Sequence, residues 1–192
     1  MDELDVLQEM LNHRQLSVAC HFGSASKADI ESFIQAVVEG GDEYDSRLFQ
    51  AHANDLRLAR TKMLEFIDAS FPEFCIDSFE GLAACKAELK RQIVLLLDRQ
   101  ITPSTFCQFF NSMESELVIS SDLSADEVAF LGDLFNACDW CDDTWTLESA
   151  PYLAEEASRV ASRIEEAEQA ETQQPLSAAL FTCSTVITTS TP

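Results

Sequence analysis

Glycine and proline are scarce, with five of each in 192 residues, below the usual shares of about 7% and about 5%. Few breakers leave little room for the tight turns of a many-stranded sandwich or barrel, so long helices are expected. Basic residues are also few: 12 Lys and Arg stand against 34 Asp and Glu, a formal net charge of −22. A field of that sign repels nucleic acid and anionic lipid and argues against direct binding to either. The longest apolar run, Ile93 to Leu97, is five residues, far short of the ~18 that a membrane span needs. The opening MDELDVLQEM holds four acids, which is unlike the basic start of a secretory signal, so a cytoplasmic protein is expected. Nucleotide-binding glycine loops, a G-x-S-x-G elbow and H-E-x-x-H are all absent. A binding protein is therefore expected rather than an enzyme, with no cofactor and no small-molecule ligand.

What is present points to a packed helical protein. Hydrophobic residues make up 46% of the chain and include thirteen Phe, and at this length roughly 70% of the unfolded surface can be buried. Apolar residues recur at three and four. Leu4, Leu7, Met10 and Leu11 give a first short helix. Ser26 and Asp29 form a capping box ahead of Ile30, Phe33, Ile34, Val37 and Val38, with Gly40–Gly41 as the stop. Asp45 can cap one long helix carrying Leu48, His52, Leu56, Ala59, Met63 and Phe66. Ser78 caps a helix to about Asp98, and Thr102–Pro103 opens another. Ser124 and Glu127 form a second capping box, and a last helix starts near Pro151. The expected fold is all-α, a helical bundle of about seven helices with one core or two adjoining subdomains. The regions read as 1–100 (N-terminal helical), 101–171 (acidic helical) and 172–192, a tail rich in Ser and Thr.

Charge divides the chain unevenly. Residues 1–100 hold 18 acids and 10 bases, and residues 101–192 hold 16 acids and only Arg159 and Arg163, so the halves carry −8 and −14. The densest stretch is Asp139 to Glu156, DWCDDTWTLESAPYLAEE. Its carboxylates Asp139, Asp142, Asp143, Glu148, Glu155 and Glu156 surround Trp140, Trp145 and Tyr152. Trp and Tyr anchor protein interfaces, and charge around them speeds encounter and filters partners. These nine residues are the candidate partner-binding site, and a basic, nucleic-acid-binding protein is the partner they fit. The plainer alternative is that the tryptophans are core and the acids only a solvated face.

Cysteine and histidine give weaker signals. Seven cysteines sit mostly among apolar residues, as reduced, buried side chains would. Cys138-Asp-Trp-Cys141 is a C-x-x-C, but it lies near a helix end among carboxylates, which make a thiol a poorer nucleophile. A metal-dependent enzyme would need it joined by Cys20 and His21; packing is the stronger expectation, and no metal ligand is assigned. An adaptor whose first hundred residues do the recognition is the other alternative function.

Residues 93–164 resemble the small helical immunity proteins of the colicin D type. The likeness rests on an apolar helix end, Ile101-Thr-Pro-Ser-Thr-Phe106 opening a helix, a helix ending Leu134-Phe135-x-x-Cys138-Asp139, an acidic loop and a final helix. The 92 residues before this stretch and the Ser/Thr tail lie outside it. The resemblance implies an acidic inhibitor that blocks the RNA-binding cleft of a toxin nuclease. Phage anti-defence and anti-CRISPR proteins that imitate a phosphate array use the same physics, so immunity and anti-defence roles are both expected candidates.

Overall fold

The computed structural model describes residues 11–40, 46–51, 55–119, 125–139 and 141–173, and within them every regular element is a helix. In chain order these are α1 (His13–His21), α2 (Lys27–Glu39), α3 (Ser46–Ala51), α4 (Leu56–Ser70), α5 (Phe79–Leu97), α6 (Pro103–Ile119), α7 (Ala125–Cys138) and α8 (Pro151–Gln173). The all-α expectation holds. Of the expected first helix, Leu4, Leu7 and Met10 lie outside the described residues, as do the His52 position, the Ser124 cap and the tail, while Leu11 is buried ahead of α1 and not helical.

Side-chain caps set the helix starts. The Asn12 carboxamide accepts from the N–H groups of Arg14 and Gln15, both at 3.0 Å, and so opens α1. The Ser26–Asp29 box is complete, with Asp29 N–H on Ser26 Oγ at 3.1 Å and Ser26 N–H on Asp29 Oδ2 at 2.8 Å. Asp55 caps α4, so the single long helix expected from Asp45 is instead two, α3 and α4. Ser78 caps α5 through Gly81 N–H at 3.1 Å. At the other end of α5, Arg99 takes φ 61°. Its N–H bonds Leu96 O at 3.0 Å and Gln100 N–H bonds Leu95 O at 2.8 Å. This is the paired closure of a Schellman turn, with arginine where glycine is usual.

Burial sorts the helices around two clusters. One gathers Leu16, Ala19 and Cys20 of α1 with Ile30, Phe33, Ile34, Leu48, Met63, Phe66 and Ile67. The other joins α5 to α8 through Leu89, Ile93, Leu96, Phe106, Phe110, Met113, Leu134, Leu153 and Val160. Helices α5, α6, α7 and α8 each pack on the next, and α8 returns to α5, so residues 98–102 are a turn inside this four-helix group. Helix α1 belongs to both clusters, because Val18 faces the second, as does Phe22 just past its end. Val38, placed on the apolar stripe of α2 by its spacing, is exposed; it lies at the end of its helix, past the reach of the core.

A buried ionic network ties α5 to the α1–α2 turn. Glu88 is fully buried. Its carboxylate accepts from Ser24 Oγ at 2.6 Å, Arg91 Nε and Nη2 at 2.8 Å and Gln92 Nε2 at 2.9 Å. Arg91 also reaches Asp29 at 3.4 Å, and this acidic company raises the guanidinium's pKa despite burial. Every acceptor here has a donor, which is what makes buried charge tolerable.

Candidate functional site: an acidic loop between α7 and α8

The segment from Asp139 to Ala150 joins α7 to α8, and polar contacts from other elements hold it in place. Asp139 sits at the end of α7, exposed, its N–H on Phe135 O at 2.9 Å. Asp142 folds the next turn by accepting from Thr144 N–H at 2.7 Å and from the Thr144 hydroxyl. Those two bonds hold its exposed carboxyl below the usual range. Asp143 accepts from Ser104 Oγ at 2.5 Å, which fastens the loop to the first turn of α6. Glu148 pairs with Arg99 at 2.5 Å, which fastens it to the α5–α6 turn. Its own backbone N–H, then the Thr146 hydroxyl and the Arg99 charge, lower its pKa. The loop is thus tied once to the first turn of α6 and once to the α5–α6 turn, and these contacts position Asp143 and Glu148.

The nine expected site residues do not all share one fate. Asp139, Asp142, Asp143, Glu148 and Glu155 are exposed. Tyr152 is 53% exposed and is the large exposed aromatic of this region. The neighbouring Glu156 charge, then partial burial and Asp133, push its hydroxyl pKa up. Trp145 is half-buried and packs with Leu147 against the α5–α8 core, so it is largely a structural anchor. Glu156 is buried and bonded to Arg159, which also reaches Asp133 of α7 at 3.0 Å. Glu156 follows Leu153 by three and precedes Val160 by four, so its position on the inward face was visible in the helical spacing. Trp140 lies outside the described residues.

The cysteines are brought together differently from the C-x-x-C reading. Cys138 is buried at the end of α7, Cys141 half-buried in the loop, and Cys107 of α6 adjoins both. The Cys138 contact, then burial, pushes the Cys107 thiol well up. Cys141 is pushed up to about 12 by burial, Cys107 and the Asp142 and Asp143 charges. Thiols so disposed are poor nucleophiles. Cys20 is buried in the other cluster and is also raised to about 12, mainly by burial. The set Cys20, His21, Cys138 and Cys141 is therefore not assembled. Among the described residues no group of three or more His, Cys, Asp or Glu is placed to hold a metal ion, and no helix is long and apolar enough to cross a membrane.

A cleft elsewhere on the molecule was not visible in the sequence. A cleft of about 560 Å³ opens where the α1–α2 turn, α4, α5 and α6 meet, with Arg60, Arg91, Gln92, Gln100, Gln108 and Phe109 among its lining residues.

No protein-family model, curated protein or solved structure matches this chain.

Proposed function

We propose that the protein is a stoichiometric inhibitor that lays its acidic α7–α8 surface into the basic, nucleic-acid-binding groove of a partner protein. The observation that carries this reading is the exposed array of Asp139, Asp142, Asp143, Glu148 and Glu155 beside the exposed ring of Tyr152, with Asp142, Asp143 and Glu148 held by Thr144, Ser104 and Arg99. Carboxylates already held in place lose little freedom on binding, which is where preorganised interfaces gain affinity. A groove lined with Lys and Arg to hold phosphates is complementary to such an array. The partner class is a toxin nuclease or a defence effector, and the role is immunity or anti-defence. Tyr152 is the apolar contact of choice, since Trp145 is committed to the core and Glu156 to Arg159.

The test is charge reversal on the exposed acids that hold no other element. Asp139→Lys and Glu155→Lys together should leave folding little changed, as exposed substitutions away from such contacts alter stability by about 0.5 kcal/mol or less. Binding to the native partner, captured on the immobilised chain and then purified, should fall at least about tenfold, or roughly 1.4 kcal/mol. The wild-type chain should displace nucleic acid from that partner, less well as salt rises, because screening shortens to a Debye length of roughly 8 Å at physiological ionic strength. A partner that binds its nucleic acid equally well when saturated with the chain would refute the proposal.

A further inference from the structure

We infer that the cleft between the α1–α2 turn, α4, α5 and α6 is a binding site for a small organic carboxylate, with Arg60 as its counter-ion. The volume, about 560 Å³, lies in the range of roughly 300–1,000 Å³ typical of small-molecule sites. The decisive group is the Arg60 guanidinium. Its Nε donates to Ala25 O at 2.8 Å, which fixes the plane of the fork. Among the described residues neither terminal nitrogen of Arg60 makes a hydrogen bond or an ion pair. Burial lowers its pKa more than the nearby Cys20 and Asp29 raise it, so the charge is partly desolvated without a bonded acid.

The neighbouring charges are already matched. Arg91 is spent on Glu88 and Asp29, and Glu88 also takes Ser24 and Gln92. The cleft therefore offers one guanidinium fork to one anion, and a planar carboxylate fits that fork by two parallel N–H···O bonds. Gly23, at φ +77°, forms the rim, and a Cβ there would stand 3.6 Å from Arg60 Nη1. A bare glycine leaves the approach to that nitrogen open. The remaining walls carry the Asp29 carboxylate, already bonded to Ser26 and Arg91, and mix Leu56, Ile101 and Phe109 with the amides of Gln100 and Gln108, which suits a ligand with a hydrocarbon or aryl body. The protein's net charge of −22 opposes anions at long range, but screening confines that effect at physiological salt.

Benzoate is the probe, with benzamide as its neutral isostere and inorganic phosphate as a bare anion, each titrated into the full chain by NMR. Benzoate is expected to bind with a Kd of about 1 mM or tighter, and benzamide and phosphate at least tenfold more weakly. Arg60→Gln should abolish benzoate binding. Thr105→Trp, at an exposed position on the cleft wall, should block it while leaving Arg60 in place, and it decides the matter should Arg60→Gln fail to fold. No benzoate binding by the wild-type chain, equal binding of benzamide or phosphate, or unchanged binding by Thr105→Trp would each overturn the inference.

Discussion

Replacing Glu88 by Gln tests the network that joins the two halves of the molecule. The side chains are nearly the same size, so packing is kept and the charge is removed. In the native protein four donors converge on two carboxylate oxygens, from Ser24, Gln92 and twice from Arg91. A carboxamide offers one oxygen and turns an NH₂ toward a remaining donor. Arg91 is then left with Asp29 at 3.4 Å. Removing one member of a buried ion pair costs about 3–5 kcal/mol. The lower end applies, because the Arg91 side chain is 17% exposed and keeps its second acid. A loss of ~3 kcal/mol is large against a total stability of ~5–15 kcal/mol. At about 2–4 °C per kcal/mol for a chain of this length, the melting temperature should fall by roughly 6–12 °C. Urea unfolding followed by far-ultraviolet circular dichroism measures the loss. Arg91→Met and the double variant complete a cycle, and the double variant should lose less than the sum of the singles. A loss below about 1 kcal/mol for Glu88→Gln would show that the network contributes little and refute this reasoning.

Other outcomes follow from single positions. A Cβ at Gly81 would lie 2.0 Å from Ile76 O, so Gly81→Ala should cost about 3 kcal/mol or more in the same urea assay. Gly132 has nothing within 4 Å of such a Cβ, and Gly132→Ala should stabilise by about 0.5–1 kcal/mol through helix propensity. Arg99→Gly should raise the melting temperature, because relief of a left-handed arginine, worth ~1–2 kcal/mol, exceeds an exposed ion pair worth about 0–1 kcal/mol. His13 stacks on Phe71 with ring centroids 4.0 Å apart, and burial, then Arg14, lowers its pKa. The unfolded chain therefore binds the proton more readily, and the stability it contributes is present above pH ~6.5 and declines as pH falls below that. An NMR titration of the His13 ring should give a midpoint below about 6.5.

Much of the helical architecture was legible where caps and stripes agree. Ser26 with Asp29, Ser78, Thr102–Pro103 and Pro151 all mark real helix starts. Helix α1 was missed because Leu16, Ser17, Val18, Ala19 and Cys20 are buried in succession; a helix enclosed on several sides has no stripe for periodicity to find. The α3–α4 break was missed because the apolar spacing runs on through Leu48, Leu56 and Met63, while Asp55 caps a new helix between them. Gly81 looked like an ordinary helix residue; its need arises from the backbone of Cys75 and Ile76, which lies against it. For the acidic segment, composition showed the density of charge, and spacing alone could have set Glu156 apart. The Arg60 cleft draws on α2, α4, α5, α6 and the turns between them, and no local pattern announces a surface made that way.

Helix α1 has a consequence for how the protein comes apart. Nine residues long, it would be marginal as an isolated helix, yet it supplies side chains to both clusters. Loss of either cluster would strip one side of α1, and an unsupported α1 would in turn uncover the other. Opening should therefore be shared across the molecule, with the amides of this short helix among the last to exchange with solvent. A cut near residue 100 would not release two independent modules, because the N-terminal piece would carry α5, Val18 and Phe22 away from the helices that cover them.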